Sequence, residues 1–271
     1  MIVAALQMNT QDNKEANVKT AEDLLDNAAD KGAELAVLPE LFNFLGPEKQ
    51  KCAEAEEIPG PTTDRMISKA ARHGMYIVAG SITETGPTPD KVYNTCVVID
   101  PEGRIVGKYR KIHLFDIVVE GQKPYRESAS VIPGEEAVIV DASPAKIGLT
   151  ICYDLRFPEL FCALSDRGAQ IITVPAAFTL HTGMAHWETL IRARAIENTS
   201  YVIAAAQVGR HPVDRECYGN SMIVDPWGTV VARAPDTESV VAAEVDLEYE
   251  EKIRENLPSI THRRRDIRIV R

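Results

Sequence analysis

KGAELAVLPELF, residues 31–42, and RGAQIITVPAAF, residues 167–178, are two versions of one pattern. Each has a basic residue, a glycine, an apolar run and a proline in the same order. Two further pairs of stretches repeat at a second constant spacing, YIVAGSI with YVIAAAQ from residues 76 and 201, and VIDPEGRIV with IVDPWGTVV from residues 98 and 223. A solenoid would repeat several times at a short period, whereas each of these stretches occurs only twice and far apart. The chain is therefore predicted to contain two copies of one β/α half-unit.

The D-P-x-G segments 100–103 and 225–228 are turn sequences, because proline pre-sets φ and glycine accepts a positive φ. The apolar runs on either side of each turn are predicted to form a hairpin. Strands followed by amphipathic stretches favour an α/β fold. We expect the sheets of the two half-units to pack face to face with helices outside, as a pseudo-duplicated four-layer α-β-β-α sandwich. No Gly/Ser-rich linker divides the chain, so residues 1–271 are expected to form a single domain.

Hydrophobic periodicity assigns the individual elements. Helices are predicted at 15–31, 62–73, 158–167, 184–199 and 247–256. Strands are predicted at 2–8, 35–38, 76–82, 92–99, 104–109, 137–140, 146–151, 170–174, 201–207, 220–224, 229–233 and 240–245.

Composition excludes several classes of function. The formal net charge is −10 and the pI is near 5.2, which argues against nucleic-acid or anionic-membrane partners because both require a basic surface. No stretch approaches the roughly 20 apolar residues of a membrane span. The opening MIVAALQM has no basic leader and reads as a strand. Five cysteines without a C-x-x-C pair fit a reducing compartment, so we expect a cytoplasmic protein.

Three chemically active side chains stand at predicted strand ends. Glu40 occupies the position of Ala176 in the second repeat, so the turn can be built without a carboxylate. Lys111 ends the hairpin strand of the first half. Cys152 ends an apolar strand just before the helix that begins at Pro158, where the positive helix end favours the nucleophilic thiolate. A carboxylate, an ammonium and a thiol can supply a base, an oxyanion stabiliser and a nucleophile.

Other interpretations of these residues remain open on spacing alone. Cysteine is often simply buried, and an isolated Glu40 or Lys111 is commonly a solvated surface charge. The base for a cysteine nucleophile is usually histidine. The candidates are His113, His181 and His186, and spacing seats none of them beside the thiol.

Metal and nucleotide cofactors have no support in the sequence. The chain has no H-E-x-x-H motif and no Cys/His cluster with ligand spacing. It also lacks G-x-G-x-x-G and G-x-x-x-x-G-K-[ST]. We therefore expect a catalyst without metal or cofactor.

The motifs VLPELF, KYRKIHLFD and GLTICYDLRFPEL, in this order, resemble the nitrilase superfamily of carbon–nitrogen hydrolases. The resemblance covers essentially the whole chain and implies the same sandwich, assembled as a homodimer or larger homo-oligomer. It implies that Cys152 is the nucleophile, Glu40 the general base and Lys111 the stabiliser of the tetrahedral intermediate. Glu127 in YRES matches a second glutamate beside this triad, and the Tyr153 N–H matches an oxyanion-hole donor.

Substrate recognition is also implied by the resemblance. The segments TGMAHWETLIRARAIEN and YGNSMIVDPWGTVVAR resemble the Nit-type amidases of the superfamily, which act on amides of small 2-oxo acids. In these relatives an arginine and a threonine that match Arg156 and Thr182 bind the substrate carboxylate, and an arginine fork suits that contact. Phe178 is expected to line the same substrate site. The alternative for Arg156 is an ion pair with Asp154 or Glu159.

The function predicted from the resemblance is hydrolysis of a 2-oxo acid carboxamide, most favourably deaminated glutathione, to a carboxylate and ammonia through a cysteine thioester. One alternative is an omega-amidase acting on 2-oxoglutaramate, and another is a hydrolase of other amides or N-carbamoyl compounds. Met184 departs from the proline that relatives carry beside the substrate, which bears on this choice. The non-enzyme alternatives are a binding protein or a redox-sensing protein that retains the fold.

Overall fold

The computed structural model describes residues 1–118, 125–212, 215–264 and 266–268. The helices are α1 Lys14–Asp30, α2 Glu48–Lys51, α3 Pro61–His73, α4 Pro158–Ser165, α5 Leu180–Asn198 and α6 Leu247–Asn256, with 3-10 turns at Glu127–Ala129 and Cys152–Arg156. The strands are β1 Ile2–Gln7, β2 Leu35–Val37, β3 Tyr76–Val78, β4 Ile82–Thr85, β5 Val92–Ile99, β6 Ile105–Arg110, β7 Asp116–Ile117, β8 Tyr125–Arg126, β9 Ile139–Ala142, β10 Ala145–Leu149, β11 Ile171–Ala176, β12 Tyr201–Ala206, β13 Val208–His211, β14 Arg215–Tyr218, β15 Met222–Val224, β16 Val230–Arg233 and β17 Ser239–Glu244.

The described residues form two large sheets with the same internal order. The seven-stranded sheet runs β17-β1-β2-β3-β5-β4, with β6 also paired to β5, and the six-stranded sheet runs β16-β15-β12-β11-β10-β9. In each sheet three central strands are parallel, and antiparallel strands flank them. The path β17-β1-β2-β3-β5-β6 thus matches β9-β10-β11-β12-β15-β16. The predicted α/β sandwich and its internal duplication are confirmed.

Both predicted hairpins close with the same hydrogen bonds. Asp100 accepts the N–H groups of residues 102 and 104, and Asp225 accepts those of residues 227 and 229. Gly103 and Gly228 have φ of +78° and +88°, a conformation that side chains beyond glycine rarely tolerate. The turn chemistry of the repeated D-P-x-G segment therefore fixes equivalent hairpins in both halves.

Strand alternation divides the apolar side chains into three layers. In β1, Val3 and Ala5 lie in the core between the sheets, whereas Ala4 and Leu6 lie in a second core under α1 and α3. The core between the sheets continues through the six-stranded sheet to the apolar residues of α4 and α5. Two sheets in the middle and helices on both outer faces are the four predicted layers.

The boundaries differ from the sequence prediction where backbones approach closely. The predicted strand 76–82 is two strands, β3 and β4, separated at Gly80. A Cβ on Gly80 would lie 2.0 Å from the Pro39 carbonyl oxygen, so only glycine fits where the chain passes the turn that carries Glu40. Helix α5 begins at Leu180 instead of residue 184, and α4 ends at Ser165 instead of 167. The small ladders β7–β8 and β13–β14 were not predicted.

In the described part of the chain, every helix is too short or too polar to cross a bilayer.

Leu149→Ala is expected to lower the free energy of unfolding by about 2–5 kcal/mol, because Leu149 is fully buried in the core between the sheets and the truncation leaves a cavity. Chemical denaturation measures the change. Val231→Ala on the exposed side of β16 is the control, with an expected change within about 0.5 kcal/mol. Equal effects of the two changes would contradict this account of the core.

Candidate active site

Glu40, Lys111 and Cys152 come together at the ends of three strands. Glu40 follows β2, Lys111 directly follows β6, and Cys152 follows β10. All three side chains are buried, with relative exposures of 3%, 2% and 6%. Polar side chains gathered at the carboxyl ends of strands are typical of α/β active sites.

The Lys111 ammonium is held between two carboxylates. Its Nζ donates to Glu40 Oε1 at 2.8 Å and to Glu127 Oε2 at 2.9 Å. Asn94 donates from Nδ2 to both carboxylates as well, at 2.9 Å to Glu40 and 3.2 Å to Glu127. Burial by itself lowers the pKa of Lys111, but the charges of Glu127 and Glu40 raise it above the ordinary value, so the ammonium stays protonated.

Glu127 is fixed from two sides. Its Oε2 accepts the Phe115 N–H at 2.7 Å in addition to the lysine contact. Burial raises the pKa of this carboxyl, but Lys111 and the backbone donor outweigh it and lower the pKa below its usual range. Glu127 is therefore ionised and acts as a permanent counter-charge to Lys111.

Glu40 is anchored by the other half of the molecule. Its Oε2 accepts the Ala177 N–H at 2.8 Å, and its backbone carbonyl accepts from Gln207 Nε2 at 2.9 Å. Ala177 follows Ala176, which is the repeat counterpart of Glu40 itself. The carboxylate thus bridges the equivalent strand ends of the two half-units.

Cys152 opens the 3-10 turn Cys152–Arg156 with a φ of +47°, a left-handed conformation that is strained for a residue with a Cβ. The Glu40 carboxylate lies close enough to the Cys152 thiol to affect the ionisation of that group. Burial first, and then the Glu40 charge, raise the pKa of the thiol well above its usual value, although Lys111 acts in the opposite direction. The expectation of a helix-stabilised thiolate was wrong because burial and a neighbouring carboxylate outweigh the helix end.

This arrangement can generate a nucleophile only at the moment of attack. The thiol is neutral at rest, and the Glu40 carboxylate can accept its proton as sulfur bonds to carbon. Lys111 lies beside both groups and can stabilise an anion that forms there. A neutral thiol, a carboxylate base and a fixed ammonium together provide the chemistry for covalent acyl transfer.

Asp154 holds the turn that presents Cys152. This fully buried carboxylate accepts the Ile151 N–H at 2.8 Å, the Tyr109 hydroxyl at 2.6 Å and the His113 N–H at 3.0 Å. The His113 ring bonds it through Nδ1 at 2.7 Å. Asp154 therefore ties the segment after Lys111 to the nucleophile turn, and it is not the ion-pair partner of Arg156.

Arg156 lies over aromatic rings at the end of the same turn. Its guanidinium carbon is 5.1 Å from the Phe178 ring centroid and 5.9 Å from that of Tyr153. Nη1 approaches His186 Nδ1 at 3.3 Å. Among the described residues no carboxylate forms an ion pair with Arg156, so the alternative pairing with Glu159 is not observed either.

Phe178 and Thr182 lie on the adjoining segment. Phe178 is buried and its ring packs on Trp187, with centroids 5.2 Å apart. Thr182 is in the first turn of α5, and its hydroxyl lies 2.8 Å from the Thr179 hydroxyl. The structure thus groups Arg156 with Phe178 beside the Cys152 turn and leaves Thr182 on the neighbouring helix start.

The histidines are engaged elsewhere. His113 contacts Asp154 and stacks on Phe157, and His186 contacts Arg156. His181 is exposed. Across the residues that the structure describes, the acid–base groups whose charges act most strongly on the pKa of the thiol are Glu40 and Lys111.

Two polar residues of the site were missed at the sequence level. Asn94 lies on β5 and looks like an ordinary strand residue, and only the pairing of β5 with β6 brings it beside Lys111. Arg215 opens the unpredicted strand β14, and no motif distinguishes it. No cluster of three or more His, Cys, Asp or Glu side chains suited to a metal ion occurs in the described ranges.

Comparison with known proteins identifies the family. The carbon-nitrogen hydrolase family model matches residues 2–255. The chain belongs to the carbon-nitrogen hydrolase family. It is 45% identical to a deaminated glutathione amidase of Bos taurus over 98% of this chain and 83% of that protein. It is 42% identical to omega-amidase NIT2 of Xenopus tropicalis over 94% of this chain and 91% of that protein.

The same family relationship appears in solved structures. The crystal structure of the C. elegans NitFhit protein superposes with a TM-score of 0.93 at 39% identity, covering 99% of this chain and 66% of that longer one. The resemblance to carbon–nitrogen hydrolases, the sandwich fold and the expectation of an enzyme are therefore confirmed.

The Cys152 thiol is expected to ionise at a higher pH than an ordinary, exposed cysteine. Burial and Glu40 both disfavour the anion, so they displace its titration upward. The ultraviolet thiolate absorbance of the wild type, minus that of Cys152→Ser, measures this titration. Glu40→Gln removes the negative neighbour and should move the midpoint to lower pH. A wild-type midpoint at or below neutral pH would contradict the assignment of a neutral resting thiol.

Asp154→Asn is expected to lower the free energy of unfolding by about 1–3 kcal/mol, because an amide cannot accept all of the donors that converge on this buried carboxylate. Thermal and chemical denaturation measure the loss. Asp141→Asn, at an exposed position of strand β9, provides the comparison and should change the free energy of unfolding little. If Asp154→Asn proves as stable as Asp141→Asn, the network does not hold the turn.

Proposed function

We propose that this chain is a cysteine-dependent amidase that hydrolyses an amide of a small 2-oxo acid, with deaminated glutathione as the preferred substrate. The observation that carries the proposal is the position of Arg156. A guanidinium without a carboxylate partner among the described residues lies beside the turn of a buried thiol, and a neighbouring carboxylate acts on the ionisation of that thiol. Such a fork matches a substrate carboxylate.

The first half of the reaction forms a thioester. Glu40 takes the proton of the Cys152 thiol while sulfur attacks the amide carbon. The carbonyl oxygen becomes an oxyanion, which Lys111 and the Tyr153 N–H stabilise. Loss of one such donor costs on the order of 100-fold in rate. The C–N bond then breaks, and the departing nitrogen takes the proton from Glu40.

The second half releases the acid. Glu40 removes a proton from water as it attacks the thioester carbon, and the C–S bond breaks. The carboxylic acid leaves, and Cys152 regains a proton from Glu40. Glu127 stays ionised throughout and keeps Lys111 charged and in place, which is consistent with its lowered pKa and its contact at 2.9 Å.

The two relatives suggest two substrates that share a 2-oxo acid half. Deaminated glutathione is a peptide amide whose leaving group is the amine of cysteinylglycine, whereas 2-oxoglutaramate is a primary amide whose leaving group is ammonia. The expectation that deaminated glutathione releases ammonia was therefore wrong, because its scissile nitrogen belongs to the cysteine residue. The first is favoured here because the more similar relatives carry that name. Omega-amidase activity is the second candidate, supported by the similarity to omega-amidase NIT2. Met184 is exposed at the start of α5 and does not decide between them.

We also propose a homodimer in the cytoplasm. Three large apolar side chains, Met184, Ile196 and Trp227, are exposed by 63%, 45% and 60%. Arg192 on α5 donates to the Gly228 carbonyl at 2.8 Å, so the hairpin that carries Trp227 adjoins the helix that carries the other two. Exposed apolar residues gathered in this way favour contact with a second copy.

Purified wild type is expected to hydrolyse deaminated glutathione with a higher kcat/KM than 2-oxoglutaramate. The 2-oxo acid product is measured for both substrates, because only the second releases ammonia. Cys152→Ala should abolish both reactions without unfolding the chain. Arg156→Gln should lower kcat/KM for both by about 10- to 100-fold, because a charge-assisted contact to the shared carboxylate is lost.

Simple uncharged amides are the control substrates, and Arg156→Gln should change their turnover far less. A higher kcat/KM for 2-oxoglutaramate than for deaminated glutathione would identify the chain as an omega-amidase. Turnover by Cys152→Ala at the wild-type rate would show that Cys152 is not the nucleophile. An equal loss of turnover by Arg156→Gln on charged and uncharged amides would show that Arg156 does not bind the substrate carboxylate.

A further inference from the structure

A second guanidinium borders the same site on the β13–β14 hairpin. Arg215 is the first residue of β14, which pairs with β13. The Tyr218 N–H donates to the Phe178 carbonyl at 2.9 Å, so the hairpin is attached to the segment that carries Phe178. The start of β14 therefore belongs to the surroundings of the active site, although it lies far from Cys152 in sequence.

The alternation of β14 directs Arg215 inward. Arg215 and Cys217 occupy one face of the strand, while Glu216 on the other face is exposed and pairs with Arg210 at 3.6 Å. Cys217 is buried, which raises the pKa of its thiol to about 12, with Arg215 acting in the opposite direction and Glu40 in the same direction. Cys217 also pairs with Thr179, two residues after Ala177. The Ala177 N–H donates to Glu40, so this part of β14 lies beside the segment that anchors Glu40.

A row of three aromatic rings joins Arg215 to Arg156. We call Tyr125, Phe115 and Tyr153 the aromatic row, since the Phe115 centroid is 5.4 Å from that of Tyr125 and 5.1 Å from that of Tyr153. The Arg215 guanidinium lies 4.8 Å from the Tyr125 centroid, and its Nε donates to the Tyr125 hydroxyl at 3.4 Å. Arg156 lies at the other end, over Tyr153.

The aromatic row passes the reacting groups. Tyr153 follows Cys152 directly, and the Phe115 N–H donates to Glu127. A substrate whose carbonyl carbon is at the thiol can therefore extend in two directions along the row, with one guanidinium at each end.

Neither guanidinium forms an ion pair with a carboxylate of the described residues. Arg215 is half-buried, and its polar and ring contacts among the described residues are the phenol and ring of Tyr125. A neutral phenol does not balance a guanidinium, whereas a carboxylate accepts two parallel N–H bonds from it.

We propose that Arg215 binds a carboxylate on the leaving-group half of the substrate, so that the site is built for amides with an anionic group on each side of the scissile bond. This rests on the proposed function, in which Arg156 binds the carboxylate of the 2-oxo acid half. Deaminated glutathione carries both carboxylates, because its leaving group ends in glycine, and 2-oxoglutaramate carries only the first. Arg215 is then the residue that separates the two candidate substrates.

A different role for Arg215 makes a different prediction. Glu40 and Glu127 together carry one more negative charge than Lys111 balances, and Arg215 could act only by offsetting that charge. It would then alter the ionisation of the reacting groups and change the turnover of all substrates alike, together with the pH profile.

The test compares three substrates with the full-length enzyme. They are deaminated glutathione, its analogue with the terminal glycine carboxylate converted to a carboxamide, and 2-oxoglutaramate. Arg215→Gln is expected to lower kcat/KM for deaminated glutathione by about 10- to 100-fold, mostly through KM, and at least tenfold more than for the other two substrates. Arg215→Lys keeps the charge without the fork and should recover part of the loss.

Arg210→Gln is the matched control, because Arg210 lies on the same hairpin with its side chain on the exposed side. This change should leave kcat/KM for each of the three substrates within about twofold of the wild-type value. Tyr125→Phe removes the hydroxyl that accepts from Arg215 and measures how much the aromatic row contributes to its position. Thermal melting of each variant verifies the fold.

The outcomes separate the two proposals. A wild type that turns over neither natural substrate overturns the proposed function and this inference with it. If the wild type is active and Arg215→Gln lowers kcat/KM for all three substrates equally, the inference alone is overturned. A shift of the pH profile of kcat/KM in Arg215→Gln has the same consequence. A wild type that does not distinguish deaminated glutathione from its carboxamide analogue also overturns it.

Discussion

The buried ammonium of Lys111 is the interaction on which the rest of the site depends. Transferring this charge from water into the interior costs several kcal/mol, and only close, well-directed carboxylates offset that cost. Glu40 and Glu127 meet this requirement at 2.8 and 2.9 Å. Because removing Lys111 would leave two buried carboxylates uncompensated, this ammonium holds the ends of β2 and β6 and the 3-10 turn Glu127–Ala129 in one arrangement.

The internal duplication explains why these groups meet where they do. Parallel strands of each half-unit end at the same edge of their sheet, and packing the two sheets face to face brings both edges together. Glu40 uses this contact, since its carboxylate accepts the N–H of Ala177 from the other half. The repeat position that is Ala176 in the second half has no catalytic group. One scaffold, built twice, thus carries one active site that needs both copies.

The ionisation of the buried Cys152 thiol differs from that of a thiol at an exposed helix end. Cys152 is at the start of a helical turn, yet burial and Glu40 dominate its ionisation and keep the thiol protonated. In the proposed mechanism the neutral thiol keeps its proton until a substrate carbon arrives, and the proton then moves to Glu40. The left-handed backbone of Cys152 and the hydrogen bonds of Asp154 fix the geometry of this transfer.

Sequence alone determined the two half-units, the four layers and the candidates Glu40, Lys111 and Cys152, because repeated strand patterns and D-P-x-G turns are local chemistry that any fold of this chain must satisfy. Motif resemblance added Glu127, Tyr153, Arg156, Thr182 and Phe178. Tertiary structure decided that Asp154 pairs with His113 instead of Arg156 and that Asn94 joins the two glutamates. It also decided that Arg215 lies beside the site. These facts depend on which strand ends are brought together and on how deeply charges are buried, and neither is encoded in local spacing.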